Sequence, residues 1–304
     1  MKILVTGVTG YLGAAIVPSL VRDGHTVRGF ARDRRRVTVE IPVVEGDAVS
    51  GAGLAPALDG IDVAYYLIHS MEATAQGPFP GREREAAERF AAAATTAGVR
   101  RIVYLGGVVP SAGPESDHLI SRLGVERVLL EAVPDSVAFR ASIVIGARSR
   151  SFRFLVRLVE RLPMMAVPAW HANRTQPIDE RDIVEMLARA ATNEAVGGRS
   201  LDVGGRDIVS YGELIDRIRG LMLVDRATVS FKRLTVTPIA SRIASVIAGE
   251  QYELIGPLMD SLGTDLLLRD DLAAQLLGVR LHSLDSAIEH ALRVWEASEP
   301  LRAR

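Results

Sequence analysis

Gly7, Gly10 and Gly13 recur every third residue in TGVTGYLG, directly after the apolar run KILV. A missing Cβ lets a strand-to-helix turn close tightly, lets the backbone approach a pyrophosphate, and lets the following helix pack closely on a sheet. The N-terminus of that helix adds N–H groups and partial positive charge. The spacing is GxxGxxG rather than GxGxxG, and an ordinary β-α turn also uses glycine. Its place between an apolar strand-like run and a helix-like run points to a phosphate cradle built from Gly7, Thr9, Gly10, Tyr11, Leu12 and Gly13.

About 20 residues further on, an NAD site places an acidic side chain on the ribose 2′-hydroxyl, whereas a 2′-phosphate wants arginine. Here the stretch reads FARDRRR, with Arg32 ahead of Asp33, which favours NADP(H) and makes Arg32 the phosphate ligand through a charge-assisted contact. A solvated surface charge run is the competing reading. Asp47, beside Ala48 in VVEGDA, either accepts from the adenine amino group or caps the turn before AVSGAG. Leu67, Ile68 and His69 end the run YYLIHS at the carboxyl edge of the predicted sheet, where open α/β sheets bind ligands. His69 then lies beside the expected nicotinamide position, or merely finishes a strand.

The elements that must position these residues alternate. KILVTG, HTVRGFA, IPVVEGD, VAYYLIHS, RIVYLGG and SVAFRASIVIG are short, β-rich runs, read as strands buried on both faces. Helix-length segments separate them, among them REREAAERFAAAATTAG and HLISRLGVERVLLEA. Pro18 inside the first helix deletes one backbone hydrogen bond and should bend it. The reading is an α/β fold with a doubly wound parallel Rossmann-type sheet and a smaller mixed C-terminal substrate lobe. The expected domains are 1–205, binding NAD(P), with 147–175 partly lining the cleft, and 206–304, the substrate lobe. Within them SFRFLVRLVERL and DERDIVEMLARAATN read as helices, RSLDV as a strand, and SYGE as a capping box opening another helix.

Composition narrows the partners. The 304 residues carry 36 basic and 37 acidic side chains, so no net field recruits nucleic acid or an anionic membrane. No cysteine is present, which excludes disulfides and thiolate chemistry and makes the cytoplasm the default location. No signal peptide or membrane helix is read from the sequence. Six scattered histidines without HExxH argue against a metal site, and Ser70 and Ser142 lack the partners of a hydrolase triad. Met71, Phe152, Met164, Met165 and Trp170 either line an apolar substrate pocket or belong to the core. The expected partner is a small-molecule substrate, for a monomer or homodimer.

TGVTGYLG, the arginine after strand two, GDA, YYLIHSM, RIVYLGG, RASIVIG and QPIDERDIVEML together resemble the short-chain dehydrogenase/reductase superfamily, in its atypical, NmrA-like NAD(P)H-binding branch. The resemblance covers roughly residues 1 to 205 and implies a Rossmann-type fold, a nicotinamide cofactor, and a substrate cleft between sheet and C-terminal lobe. Active superfamily members carry a serine after strand five and Tyr-x-x-x-Lys on the next helix. Here those positions hold Gly107, His118 and Arg122. His118 and Arg122 stand four apart and share a helical face, so histidine would donate the proton and arginine would hold ribose hydroxyls. In the bland alternative, Arg122 pairs with Glu126 on a surface helix. The implied activity is NADP(H)-dependent reduction of a small, largely apolar carbonyl or activated alkene. A redox sensor that binds NADP(H) without turnover is the rival, and nucleotide-sugar epimerase or dehydratase chemistry a poorer third.

Overall fold

The structure, a computed structural model, describes residues 1–68, 79–110, 117–161, 165–167, 169–222, 228–230 and 263–299. In chain order the strands are β1 (Lys2–Thr6), β2 (Thr26–Ala31), β3 (Val43–Glu45), β4 (Val63–Tyr66), β5 (Arg101–Gly107), β6 (Val137–Ala141), β7 (Val144–Ile145), β8 (Met165–Val167), β9 (Arg174–Thr175), β10 (Ile178–Asp179), β11 (Arg199–Val203), β12 (Val209–Ser210) and β13 (Thr228–Ser230). The helices are α1 (Tyr11–Arg22), α2 (Leu54–Leu58), α3 (Phe79–Thr96), α4 (Asp117–Ala132), α5 (Arg150–Arg161), α6 (Glu180–Arg189), α7 (Tyr211–Leu221), α8 (Leu272–Leu277) and α9 (Leu284–Glu296).

Among the described residues, seven strands form one parallel sheet in the order β3-β2-β1-β4-β5-β6-β11. The order reverses between β1 and β4, so the chain leaves both strands in opposite directions and opens a crevice at their carboxyl ends. Continuous apolar strands demand cover on both faces, and two cores supply it. On one face Ile3, Val5, Ile16 and Leu20 pack with Ile183, Leu187 and, from near the C-terminus, Ala273 and Leu277. On the other face Leu4, Phe30 and Tyr66 pack with Phe90, Val125 and Leu129. Ile3, Leu4 and Val5 are fully buried, and each contributes about 1.5–3 kcal/mol relative to exposure. A third core joins α5, α7 and α9 around Phe152, Tyr211, Ile288 and Trp295. Helix α7 opens with the SYGE capping box: Glu213 N–H donates to Ser210 Oγ (3.1 Å) and Ser210 N–H to Glu213 Oε2 (2.7 Å).

α1 runs unbroken through Pro18, which sits on its exposed side, away from the buried stripe of Ile16, Val17 and Leu20. SVAFRASIVIG, read as one strand, is two. After Ala141 the Ser142 N–H donates to the Val203 carbonyl (3.0 Å), the chain leaves the main sheet, and β7 pairs with β10.

At the edge opposite the crevice Arg101 is fully buried. It donates to Asp135 (2.9 Å) and to the Ala190 (2.6 Å) and Asn193 (2.7 Å) carbonyls, fastening β5 to the end of α6. Removing it deprives the Ala190 and Asn193 carbonyls of their Arg101 donors, so Arg101→Leu is expected to lower urea-unfolding stability by about 3–5 kcal/mol. The exposed neighbour Arg100, also paired with Asp135, is expected to cost under about 1 kcal/mol as Arg100→Ala.

Asp182 in α6 is fully buried and takes the His282 backbone N–H (2.8 Å) and ring Nδ1 (2.5 Å), tying the segment before α9 to the sheet domain. Burial raises its carboxyl above the ordinary carboxylate range, and the His282 contacts oppose that rise. The folded chain therefore holds this proton more tightly than the unfolded chain. Its contribution to stability falls as pH rises from the ordinary carboxylate value through the folded one. Urea midpoints of wild type minus Asp182→Asn should decline across mildly acidic pH; a flat difference would contradict the assignment.

Candidate functional site

The crevice begins where β1 ends. Thr6 Oγ1 donates to the Tyr65 carbonyl (2.9 Å) and accepts from the Leu67 N–H (3.2 Å), locking the β1 turn to the end of β4. Gly7 has φ +66°, a left-handed conformation suited to glycine, and a Cβ there would lie 2.4 Å from the Leu67 carbonyl oxygen. At Gly13 a Cβ would lie 2.2 Å from the Gly7 oxygen, so the third glycine is what lets α1 close on the turn. Gly10 differs: a Cβ there would meet only the Gly7 oxygen, at 3.0 Å. The space beside Gly10 therefore belongs to the crevice.

Gly10 is also the N-cap of α1, with no side-chain capping bond and no acidic residue in the first turn. The amide groups that open the helix are left for a ligand, and a diphosphate is the chemistry they fit.

A cavity of about 530 Å³ extends from this turn along the carboxyl edge. Its walls include Gly7, Thr9, Gly10, Tyr11, Leu12 and Gly13; Arg32 from the end of β2; Asp47 and Ala48 after β3; Leu67 and Ile68 after β4; and Arg122 from α4. His69 lies outside the described residues, as do Ser70, Met71 and Met164. The backbone of His118 is one turn before Arg122 on α4, but its side chain, like that of Met165, is outside the described residues.

Arg32 is exposed on the cavity wall, while Asp33 is turned to other work. The Asp33 carboxylate caps the short 3-10 turn Arg34–Arg36 and accepts from the Arg35 N–H (3.0 Å) and guanidinium (2.9 Å). The bond from the Arg35 side chain, then that from its backbone, holds the Asp33 carboxyl below the usual range. Asp47 caps the turn before AVSGAG. Its Oδ1 accepts from the Val49 N–H (3.0 Å), an Asx turn, and the residue lines the cavity as well.

Arg122 does not pair with Glu126. Glu126 is buried and held by Arg140 (2.7 and 2.9 Å) and the Ser200 hydroxyl (2.6 Å). The Arg122 guanidinium instead donates to the Leu105 carbonyl and lies over the Tyr104 ring, 5.3 Å from its centroid. Tyr104 Oη donates back to the Arg122 carbonyl (3.2 Å). Burial pushes the Tyr104 phenol up to about 12, and that of Tyr66 higher still, so neither exchanges a proton near neutrality.

Sequence reasoning missed Glu83, and it named neither Arg148 nor Arg150 although it expected 147–175 to line the cleft in part. Glu83 is buried on the cavity wall and accepts from Ser121 Oγ (2.8 Å). In the string GREREAAERF it looks like any solvated helical charge; only its burial marks it. Ser142 lines the cavity with its hydroxyl 3.1 Å from Thr175 Oγ1, and has no hydrolase partner among the described residues. Phe152 and Trp170 are buried in the third core and are not among the residues lining this cavity. No cluster of three or more metal-ligating side chains occurs among the described residues.

A reversed-order parallel sheet with an uncapped glycine turn at its switch point defines a dinucleotide-binding Rossmann-type domain. Residues 7–134 match a protein family described as NAD(P)H-binding. The same Rossmann-like fold is found in a solved protein of the short-chain dehydrogenase/reductase superfamily. A superfamily protein from Agrobacterium tumefaciens, solved with bound NAD, superposes with a TM-score of 0.70 at 18% identity, over 98% of this chain and 99% of that one. A 2-alkyl-3-oxoalkanoate reductase of Stenotrophomonas maltophilia is 29% identical over 42% of this chain, a match spanning only 39% of that relative's length. A (4-alkanoyl-5-oxo-2,5-dihydrofuran-3-yl)methyl phosphate reductase of Streptomyces griseus is 28% identical over 69% of this chain and 70% of its own. In the described residues no helix is long and apolar enough to cross a membrane.

Proposed function

We propose that the protein is an NADP(H)-dependent reductase of the atypical, NmrA-like type, acting in the cytoplasm on a small carbonyl compound or activated alkene whose reacting part is largely apolar. One observation carries the reading: the uncapped glycine turn, Arg32, the end of β4 and Arg122 lie along a single cavity. Both named relatives are reductases, which supports turnover over sensing without chemistry.

The residues divide the work by position. The Gly7–Gly13 turn offers its amides to the diphosphate, Arg32 takes the 2′-phosphate, and Asp47 and Ala48 border the adenine end. Leu67 and Ile68 flank the nicotinamide side. The cofactor supplies hydride when bound. Arg122, anchored by the Leu105 carbonyl, holds ribose hydroxyls with its guanidinium N–H groups. His118, one turn earlier on α4, donates the proton to the developing oxyanion. Leu105, Ile143 and Val144 give the substrate side an apolar wall. Residues 1–205 hold the coenzyme, and 206–304, with 147–175, close the substrate side, in a monomer or homodimer.

The test is NADPH oxidation followed by absorbance against a panel of aldehydes, ketones and enones. Turnover of at least one class, reduced in Arg122→Ala and His118→Ala, is the expected result. Saturable NADPH binding with no turnover on any compound would replace this reading by a redox sensor, and turnover unchanged in His118→Ala would remove that residue's role.

A further inference from the structure

Five arginines and two carboxylates, Asp47 and Glu83, are among the residues lining the cavity, a surplus of positive charge in a chain whose net charge is −1. A dinucleotide accounts for part of it, at the glycine turn and Arg32. Arg148, in the segment that joins β7 to α5, and Arg150, the first residue of α5, come from elsewhere. They make no hydrogen bond or ion pair among the described residues, in a protein where buried and half-buried arginines are tied to carboxylates or carbonyls.

The local fold sets their direction. Ser149 N–H donates to the Gly146 carbonyl (3.0 Å), closing a turn in which Ala147 and Ser149 are buried and Arg148 and Arg150 are exposed on the cavity wall. Gly146 presses the turn onto the glycine loop, since a Cβ there would lie 1.8 Å from Tyr11 Oη and 2.3 Å from Glu180 Oε2. Tyr11 lines the same cavity, and its hydroxyl is buried beside the Glu180 carboxylate. Glu180 and Asp179 put negative charge behind it, and Asp179 is matched by Arg181 (2.5 Å). Arg148 is the cation whose field reaches Tyr11 from the cavity side.

We infer that Arg148 and Arg150 bind an oxyanion on the substrate, a phosphate ester or a carboxylate, at the end of the molecule remote from its apolar reacting part. The inference rests on the reductase reading. An arginine pair at a cavity rim selects anions through charge-assisted, often bidentate hydrogen bonds, and neutral analogues forgo them. The substrate is then amphiphilic: its apolar part lies along Ile143 and Val144, and its charge lies toward α5.

Calorimetry on protein saturated with NADPH, at fixed ionic strength, tests this with phenyl phosphate, benzoate and the neutral isostere benzamide. Phenyl phosphate, benzoate or both should bind at least ten-fold more tightly than benzamide, and which of them does so separates the two sources of the oxyanion. Arg148→Ala/Arg150→Ala should erase that preference, with the double variant's NADPH affinity and thermal midpoint unchanged. Arg148→Lys/Arg150→Lys should keep part of it. Equal binding of all three probes, or a preference that survives the double alanine variant, would overturn the inference. So would loss of NADPH affinity in that variant, which would assign both arginines to the coenzyme. Failure of the wild type to bind NADPH at all would appear in the first titration and would overturn the reductase reading itself.

Discussion

Gly10→Ala is expected to abolish coenzyme binding while leaving the fold almost intact, and Gly13→Ala to damage both. The difference comes from what each Cβ meets. At Gly10 it contacts only the Gly7 oxygen, at 3.0 Å, and otherwise enters the cavity where a diphosphate would lie. At Gly13 it collides with that oxygen at 2.2 Å and with the Gly7 carbonyl carbon at 2.8 Å, both backbone atoms that cannot rotate aside. Charge-assisted hydrogen bonds contribute about 1.5–3 kcal/mol each, so displacing the diphosphate from two amides raises Kd by a factor of about 100 or more. Overpacking at Gly13 costs about 1–3 kcal/mol in addition. Fluorescence titration with NADPH alongside thermal melts reads both quantities. Equal loss of stability in the two variants would show that Gly10 serves the fold and not a ligand.

The second large effect is expected at Arg32. Arg32→Ala should weaken NADPH binding about 10- to 100-fold and leave NADH within about two-fold, because one charge-assisted contact to a 2′-phosphate is lost and nothing else on the coenzyme changes. Asp33 cannot substitute as an anchor for the ribose 2′-hydroxyl while its carboxylate is held by Arg35 and caps the turn after it. Paired titrations with both coenzymes measure the ratio. A wild type that prefers NADH would reverse the assignment of Arg32.

The half of the cavity around the glycine turn was legible from the chain because its determinants are local. Three glycines, the strand before them and the helix after them all lie within 22 residues, and backbone geometry follows from residue type. Arg32, Asp47, Leu67 and Ile68 were placed by the rule that ligands sit at the carboxyl ends of parallel strands, and each lines the cavity. The substrate half depends on packing between distant segments. Nothing in GREREAAERF distinguishes the buried Glu83 from the exposed Glu85 and Glu88. Within 147–175, expected to line the cleft in part, nothing singles out Arg148 and Arg150 until Gly146 is seen against Tyr11 and Glu180. The break between β6 and β7 was invisible for the same reason. An unbroken apolar run records burial but not partner, and Ser142 turns aside only because the Val203 carbonyl, sixty-one residues away, takes its N–H.

Direct titration of the wild-type protein with NADPH is the most economical test of the account. Saturable one-to-one binding, tighter than that of NADH and lost in Gly10→Ala, is the predicted result. No detectable binding of either coenzyme at millimolar concentration would contradict the account at its base.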